Sequence, residues 1–552
     1  MGLDNLMDLM ERYGFQRVFK NKLLSDNHFV EGTNKDYNIA YAIDEDKLFT
    51  FLQTTQPDEY KKISGRSDFK SKFIKALRED IQSRGLLDVF RNRFDWNGAH
   101  FDMMIKRPHN ALNPKEVEKY NNNIVSVTEE LVYNPEVGTG RGGRGDLTIF
   151  VNGLPLIWIE LKSNAAGQNI NNAKRQYCVD RDPSEQIFRY KQGCLVYFAM
   201  DLEEVWFATK LDKENTYFMP YNKGNGMHAG NPDVADDIKT SYMWREILTK
   251  DNILEWLENY LVNEKIKEKG FDGKEKTTDN MIFPRYHQFN EINNILADIK
   301  ENGVHGQNYL IMDSPGSGKT YSIAWLAHHL ASLHDANDNA IYDSVMVITD
   351  RVVVDDQLQK AILRVNHVDD TVETMGEDCT SADLAAAINN KAKVIVSTIH
   401  KFSFILNSVA PMADKKFAII IDECHSSTKG SLMTNVGKSL SQTAANATQD
   451  EEMDDEDIIN NAISESIKTS KKHNNITLIG YSATPKKKTL ELFGTKSTDE
   501  KGEVVSRPFS TYSMQQAIEE GFILDVLKNY TTYKTYFKVN KKIVDDKKYK
   551  KK

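Results

Sequence analysis

Asp146, Glu160 and Lys162 stand in one short stretch, RGDLTIFVNGLPLIWIELK, whose residue types suit metal-assisted cleavage of a phosphodiester. The alternating apolar residues read as two strands, 146–152 and 156–162, joined at Asn152-Gly153, a strong hairpin turn signal. Asp146 falls near the start of the first strand, and Glu160 and Lys162, two apart, project to one side of the second. Two carboxylates brought together in this way are oxygen ligands for Mg²⁺, which would activate water and stabilise the leaving oxygen. Lys162 would position that water and offset the phosphate charge. An exposed hairpin with ordinary charges would not carry runs as apolar as LTIFV and LIWIE. Gly142, Gly143 and Gly145, with Arg141 and Arg144, form a flexible basic approach to Asp146. Downstream, Gln186 and Tyr190 mark a Q-x-x-x-Y pattern (QIFRY) on an expected helix near Lys174, Arg175 and Lys191.

A second constellation lies in NYLIMDSPGSGKT, followed by the helical run YSIAWLAHHLASL. Strand, glycine-rich turn and helix are the context a phosphate-binding loop requires. Gly316, Ser317 and Gly318 would close around phosphates at a helix N-terminus. Lys319 would reach the β- and γ-phosphates of ATP and the Thr320 hydroxyl would ligate Mg²⁺. Asp313 stands where such loops usually begin with glycine. A domain's length later, FAIIIDECH delivers Asp422 and Glu423 at the end of an apolar strand. Asp422 would hold the Mg²⁺ water shell, and Glu423 would orient or deprotonate the attacking water.

Elements of two textures must position these groups. Residues 1–261 mix helical and strand-like stretches, with clear helical periodicity over 68–83, and are expected to form one domain around the carboxylate pair. Residues 262–282, charged and punctuated by glycine, read as a linker. From 283 to 525, five short Val- and Ile-rich strands are expected at 308–313, 344–349, 393–398, 417–422 and 476–481. Separated by helices, they predict a parallel sheet covered on both faces, and an α/β fold. The acidic run 449–457 is expected to be a solvated loop, and 526–552 the start of a further domain.

Composition sets outer limits. At 552 residues the chain is too long for one hydrophobic core, so two or three domains are expected, and 40% hydrophobic with 27% charged residues is ordinary for a globular protein. Mean hydropathy is −0.54. No apolar run reaches the roughly 18 residues needed to span a bilayer, so no membrane is expected as partner. Cys178, Cys194, Cys379 and Cys424 are scattered without metal-type spacing, which fits a reduced, cytoplasmic protein. A net charge of −9 does not decide for or against nucleic acid, because phosphate binding depends on where Lys and Arg cluster.

The motor residues resemble superfamily 2 helicases over about 285–525. Arg285-Tyr286-His287-Gln288 is similar to the adenine-reading Q motif, with Gln288 the base reader. ITDRVVVDDQ (348–357) and VIVSTIHK (394–401) resemble the family's DNA-backbone contacts. Ser482, Ala483 and Thr484 resemble the S/T-A-T motif that couples ATP hydrolysis to DNA movement. The D…E-x-K set resembles PD-(D/E)xK nucleases, and the whole resembles the R subunit of type I restriction–modification systems. Nuclease before motor is that family's order, whereas type III subunits place the nuclease after it. The resemblance implies Asp146 and Glu160 as metal ligands, Lys162 as catalytic lysine, and Gln186 and Tyr190 as support for cleavage. It also implies an earlier acid on the first nuclease helix, for which Glu45 is the candidate. Cofactors would be ATP and Mg²⁺. Partners would be double-stranded DNA and the specificity and modification subunits, the last supplying methylation. The chain would pump duplex DNA with ATP and cut unmodified DNA away from the recognition site. Because the family's motor has two RecA-like domains, this chain is expected to be a fragment lacking most of the second. Two alternatives stay open: a catalytically silent nucleotide- and DNA-binding module, and a stand-alone helicase–nuclease.

Overall fold

Two seven-stranded sheets carry the chain, one mixed and one wholly parallel. The computed structural model describes residues 3–525, apart from 109–111, 136–142, 164–166, 270–274, 305–307, 350–351, 366–371, 375–380, 391, 399–404, 406–411, 413–414, 425–474 and 499–501.

In the first half, helices α1 (Glu45–Thr55) and α2 (Phe69–Arg84) precede the sheet strands β1 (Val125–Val132), β2 (Arg144–Val151) and β3 (Leu154–Leu161). Helix α3 (Ile170–Val179) then crosses to β4 (Val196–Met200), and β5 (Val205–Ala208) turns back beside it. β1–β2 and β2–β3 are antiparallel, β3–β4 is parallel, and the short pairs 30–31 and 219–220 complete the edges. The hairpin and the helix expected at 68–83 therefore form almost where the apolar pattern placed them. β3 is buried along its whole length, which is why its sequence reads as nearly continuous apolar residues rather than an alternation.

The segment expected to be a linker is instead a two-stranded ribbon. β6 (Val262–Lys269) pairs antiparallel with β7 (Glu275–Ile282) over eight residue pairs. Val262 and Met281 are buried at one end, and beyond them Ile266 is the one apolar residue among charged and polar ones, so the strand period is hidden. The expected helix at 186–190 is also absent. The chain there makes tight turns, with Phe188 N–H donating to Glu185 O (2.9 Å) and Cys194 N–H to Ile187 O (2.7 Å). A Cβ on Gly193 would lie 2.1 Å from the Ile187 carbonyl oxygen, so glycine permits that closure.

In the second half, α4 (Tyr286–Asn302), β8 (Asn308–Asp313), α5 (Lys319–Ala331), β9 (Ser344–Thr349), α6 (Val352–Val365), β10 (Val372–Thr374), β11 (Val394–Thr398), β12 (Phe417–Ile421), β13 (Ile476–Ser482), β14 (Ser510–Tyr512) and α7 (Met514–Glu519) follow. The strand order is β10-β11-β9-β12-β13-β8-β14, all parallel. The five expected strands are these to within one residue at either end.

Candidate functional site

The antiparallel register of β2 and β3 places Leu147 opposite Ile159, so the next rung brings Asp146 and Glu160 together. Asp146 Oδ2 accepts the Leu161 N–H at 2.7 Å and the Lys162 ammonium at 3.2 Å. Lys162 also donates to the Leu161 carbonyl at 3.1 Å and lies 4.0 Å from Glu160 Oε2. One cation thus faces three oxygens.

Glu160 is fully buried, and its Oε1 accepts from Trp158 Nε1 and Arg181 Nε, both at 2.7 Å. Burial pushes its carboxyl up to about 7 despite the guanidinium beside it. Burial by itself would lower Arg181, but Glu160 and Tyr133 hold it above its ordinary range. Glycine at 145 is demanded by this arrangement: a Cβ there would lie 1.8 Å from Trp158 Cζ2.

At the second site, parallel pairing does the aligning. β12, β13 and β8 are neighbours, with Ile421 opposite Gly480 and Met312 opposite Ser482. Their C-terminal ends therefore share one edge, where ligands of open α/β sheets bind. Asp313 leads there into the phosphate loop, Asp422-Glu423 follows β12, and Ser482, Ala483 and Thr484 end β13. Gly316 and Gly318 have φ of 77° and 88°, the left-handed region that favours glycine. Lys319, the first residue of α5, ion-pairs with Glu423, itself held at φ 47°. Thr320 is the next residue, and the Asp422 carboxylate accepts the Glu423 N–H at 2.9 Å. Asp313 is completely buried, and burial raises its carboxyl to about 7 against the pull of Lys319 and Arg285.

Residues 38–216 match the family described as type I restriction enzyme R protein N terminus, and 287–552 match SWI2/SNF2 ATPase. Together these matches make the chain similar, in both its halves, to type I restriction-enzyme R proteins. Two Methanocaldococcus jannaschii proteins assigned as type I endonuclease subunits are each 23% identical to it. MjaIXP aligns with 59% of this chain and 31% of its own, and MjaVIIIP with 84% and 41%. The HindI endonuclease subunit of Haemophilus influenzae is 23% identical over 87% of this chain and 41% of that protein. The chain thus spans less than half the length of these curated relatives. Among solved structures, the UvsW helicase of bacteriophage T4 covers 44% of this chain and 62% of its own at 14% identity and a TM-score of 0.26, too slight a likeness to bear on the fold.

The chain is mixed α/β, and its match to an ATPase family model implies nucleotide use. No helix among its described residues is long and apolar enough to cross a membrane. Several expected site residues lie elsewhere than their motifs suggested. Glu45 opens α1 beside the hairpin turn, where Asp44 N–H donates to Gly153 O at 2.9 Å and Glu45 accepts from Asn38 Nδ2 at 2.6 Å. That turn is at the opposite end of β2 from Asp146, and the Glu45 carboxylate is engaged by Asn38. Gln186 is turned onto the Arg78 guanidinium, and the Tyr190 hydroxyl donates to Asp279 O at 3.0 Å on β7. The middle residue of that motif, Phe188, packs edge-on to Trp158 at 4.8 Å. Gln288 is 4% exposed and has both ends of its amide engaged. It accepts from Arg285 N (2.9 Å) and donates to Gly318 O (3.0 Å), so it braces the glycine-rich loop. Arg141, Gly142, Asp350, Arg351, 399–401, the acidic run 449–457 and 526–552 lie outside the described residues. Arg181 and Trp158 went unread in the sequence. Only the Trp158-x-Glu160 spacing, which sets both side chains on one face, hinted at either.

Proposed function

We propose that this chain cuts unmodified DNA with Mg²⁺ and pumps duplex DNA with ATP, as part of a type I restriction enzyme whose specificity and modification subunits choose the target. The observation that supports this best is the cluster around the Lys162 ammonium: Asp146 Oδ2, Leu161 O and Glu160 Oε2, at 3.2, 3.1 and 4.0 Å. An ammonium among three oxygens occupies the kind of place a small hard cation takes, and Glu160 Oε2 is buried without a hydrogen bond. Among the described residues no three or more His, Cys, Asp or Glu side chains gather at one point. That suits Mg²⁺, which is commonly held by one or two carboxylates, with water and substrate phosphate completing its shell. When bound, the cation would supply charge to the phosphate and acidify water. Asp146 and Glu160 would hold it, and Lys162 would turn to the phosphate or the attacking water. In the motor, Gly316, Ser317, Gly318 and Lys319 would cradle ATP phosphates, with Thr320 and Asp422 toward Mg²⁺. Glu423 would release Lys319 to the nucleotide and face the attacking water. Ser482, Ala483 and Thr484, one strand from the phosphate loop, would relay hydrolysis to DNA movement. Gln186 and Tyr190 would support the nuclease indirectly, through the turn that seats Phe188.

The test is plasmid cleavage with Mg²⁺, wild type against Lys162→Ala and Asp146→Ala, with and without ATP and the partner subunits. Cutting that needs both residues, ATP and partners is expected, each substitution lowering the rate by roughly 100-fold or more. Cutting that survives both substitutions would sink the assignment.

A further inference from the structure

We propose that Arg181, helped by Trp158, is a positioning residue that pins one oxygen of Glu160 and thereby presents the other to a divalent cation. This rests on the metal-dependent nuclease reading and adds a residue to it. Two donors converge on Oε1, Trp158 Nε1 and Arg181 Nε, both at 2.7 Å, and Arg181 Nη2 forms an ion pair with the same oxygen at 2.6 Å. Oε2 receives none, although it is buried. A guanidinium–carboxylate pair that served only to neutralise buried charge would be expected to use its fork bidentately, one nitrogen to each oxygen. Here the fork is spent on a single oxygen, and the second points toward Lys162 and Asp146.

The guanidinium is itself fixed. Its side chain is 2% exposed, and Nη1 donates to the Tyr133 hydroxyl at 3.2 Å. That hydroxyl in turn donates to Asp180 O at 3.1 Å. The Tyr133 and Trp158 rings pack edge-on at 5.6 Å, and Phe188 closes on both at 4.8 Å. Held at Oε1 by a rigid, packed set of donors, the Glu160 carboxylate cannot swing its other oxygen away from the pair site. It therefore meets a cation already oriented. A lysine at 181 could supply charge but not an N–H fixed in direction by a planar, preorganised guanidinium.

The experiment is Mn²⁺ binding to the full chain without nucleotide, read as free Mn²⁺ by electron paramagnetic resonance, beside Mg²⁺-dependent DNA cleavage. Wild type, Glu160→Gln, Arg181→Met, Arg181→Lys and Trp158→Phe are compared, each checked by thermal melting. Arg181→Met is expected to weaken Mn²⁺ binding by roughly tenfold or more, as loss of such supporting contacts does at metal sites. Arg181→Lys should fall between, and Trp158→Phe, which keeps a ring and loses one donor, should weaken it by about threefold. The Mg²⁺ concentration for half-maximal cleavage should rise by the same factors, with the rate recovering at saturating Mg²⁺. Mn²⁺ binding by Arg181→Met within about twofold of wild type, or a cleavage defect that saturating Mg²⁺ leaves untouched, overturns the proposal. Should Arg181→Met fail to fold, Trp158→Phe decides alone: unchanged Mn²⁺ binding overturns it. Equal Mn²⁺ binding by wild type and Glu160→Gln would instead remove the nuclease reading on which it rests.

Discussion

A methyl group at position 145 would have to displace Trp158, because its carbon would lie 1.8 Å from the indole. Trp158 cannot yield without releasing its hydrogen bond to Glu160. Gly145→Ala is therefore expected to cost about 2 kcal/mol or more in unfolding free energy, measured by urea denaturation. It should also lower cleavage further than that loss explains at temperatures where the variant stays folded. A neutral outcome in both would mean that the indole does not hold the carboxylate. Asp146 tolerates no such crowding argument: it is partly exposed, and its place is set by the Leu161 N–H and Lys162.

Elements carry the next layer. The ribbon of β6 and β7 touches both halves of the chain. On β6, Glu264 accepts from the Tyr321 hydroxyl at 2.8 Å and from Arg364 Nη1 at 2.6 Å, on α5 and α6. On β7, Asp279 accepts from Lys191 Nζ at 2.5 Å and, through its carbonyl, from Tyr190. Glu264→Ala would strip a half-buried arginine and a tyrosine of their acceptor. It is expected to cost about 2 kcal/mol by denaturation and to speed amide exchange at the start of α5. No change in that exchange would show the ribbon to be a passive strap. This ribbon was illegible in the sequence because Lys-Glu-rich strands lack the apolar alternation that betrays a half-buried sheet. The opposite holds for β8, β9, β11, β12 and β13, whose Val- and Ile-rich runs and flanking glycines or acids mark both strand and site. Arg181 was hidden for another reason. It comes 21 residues after Glu160, and only the packing of crossover helix α3, with Tyr177 donating to Trp158 O and Phe198 O, swings it under β3.

At the scale of the molecule, one apolar cluster runs from Leu6 through Tyr481, across both sheets. Its seam is aromatic: Phe283 meets Trp256 at 4.9 Å, and Phe289 meets Tyr260 at 5.1 Å. The chain should therefore melt in a single calorimetric transition, and two separated transitions would refute a shared core. Glu258 lies near this junction, where burial raises its carboxyl to about 7 from an ordinary 4.5. Between those values the folded chain binds a proton that the unfolded chain has lost. Stability must then fall as pH rises through that window and level off above it, by up to about 3 kcal/mol for this group. Glu258→Gln should shrink the drop in melting temperature between pH 5 and pH 7. It will not abolish the drop, because Glu160 and Asp313 are shifted in the same sense. An unaltered profile would show that Glu258 titrates as an exposed acid.

The Lys162 ammonium among its three oxygens has a further consequence. A pair of carboxylates alone would repel one another whenever their cation departed, and the hairpin would strain or take up protons. A resident positive charge removes that penalty, so chelation leaves the strands where they are. Under the metal reading proposed above, free metal concentration alone would idle and rearm the site, without any step of refolding in between.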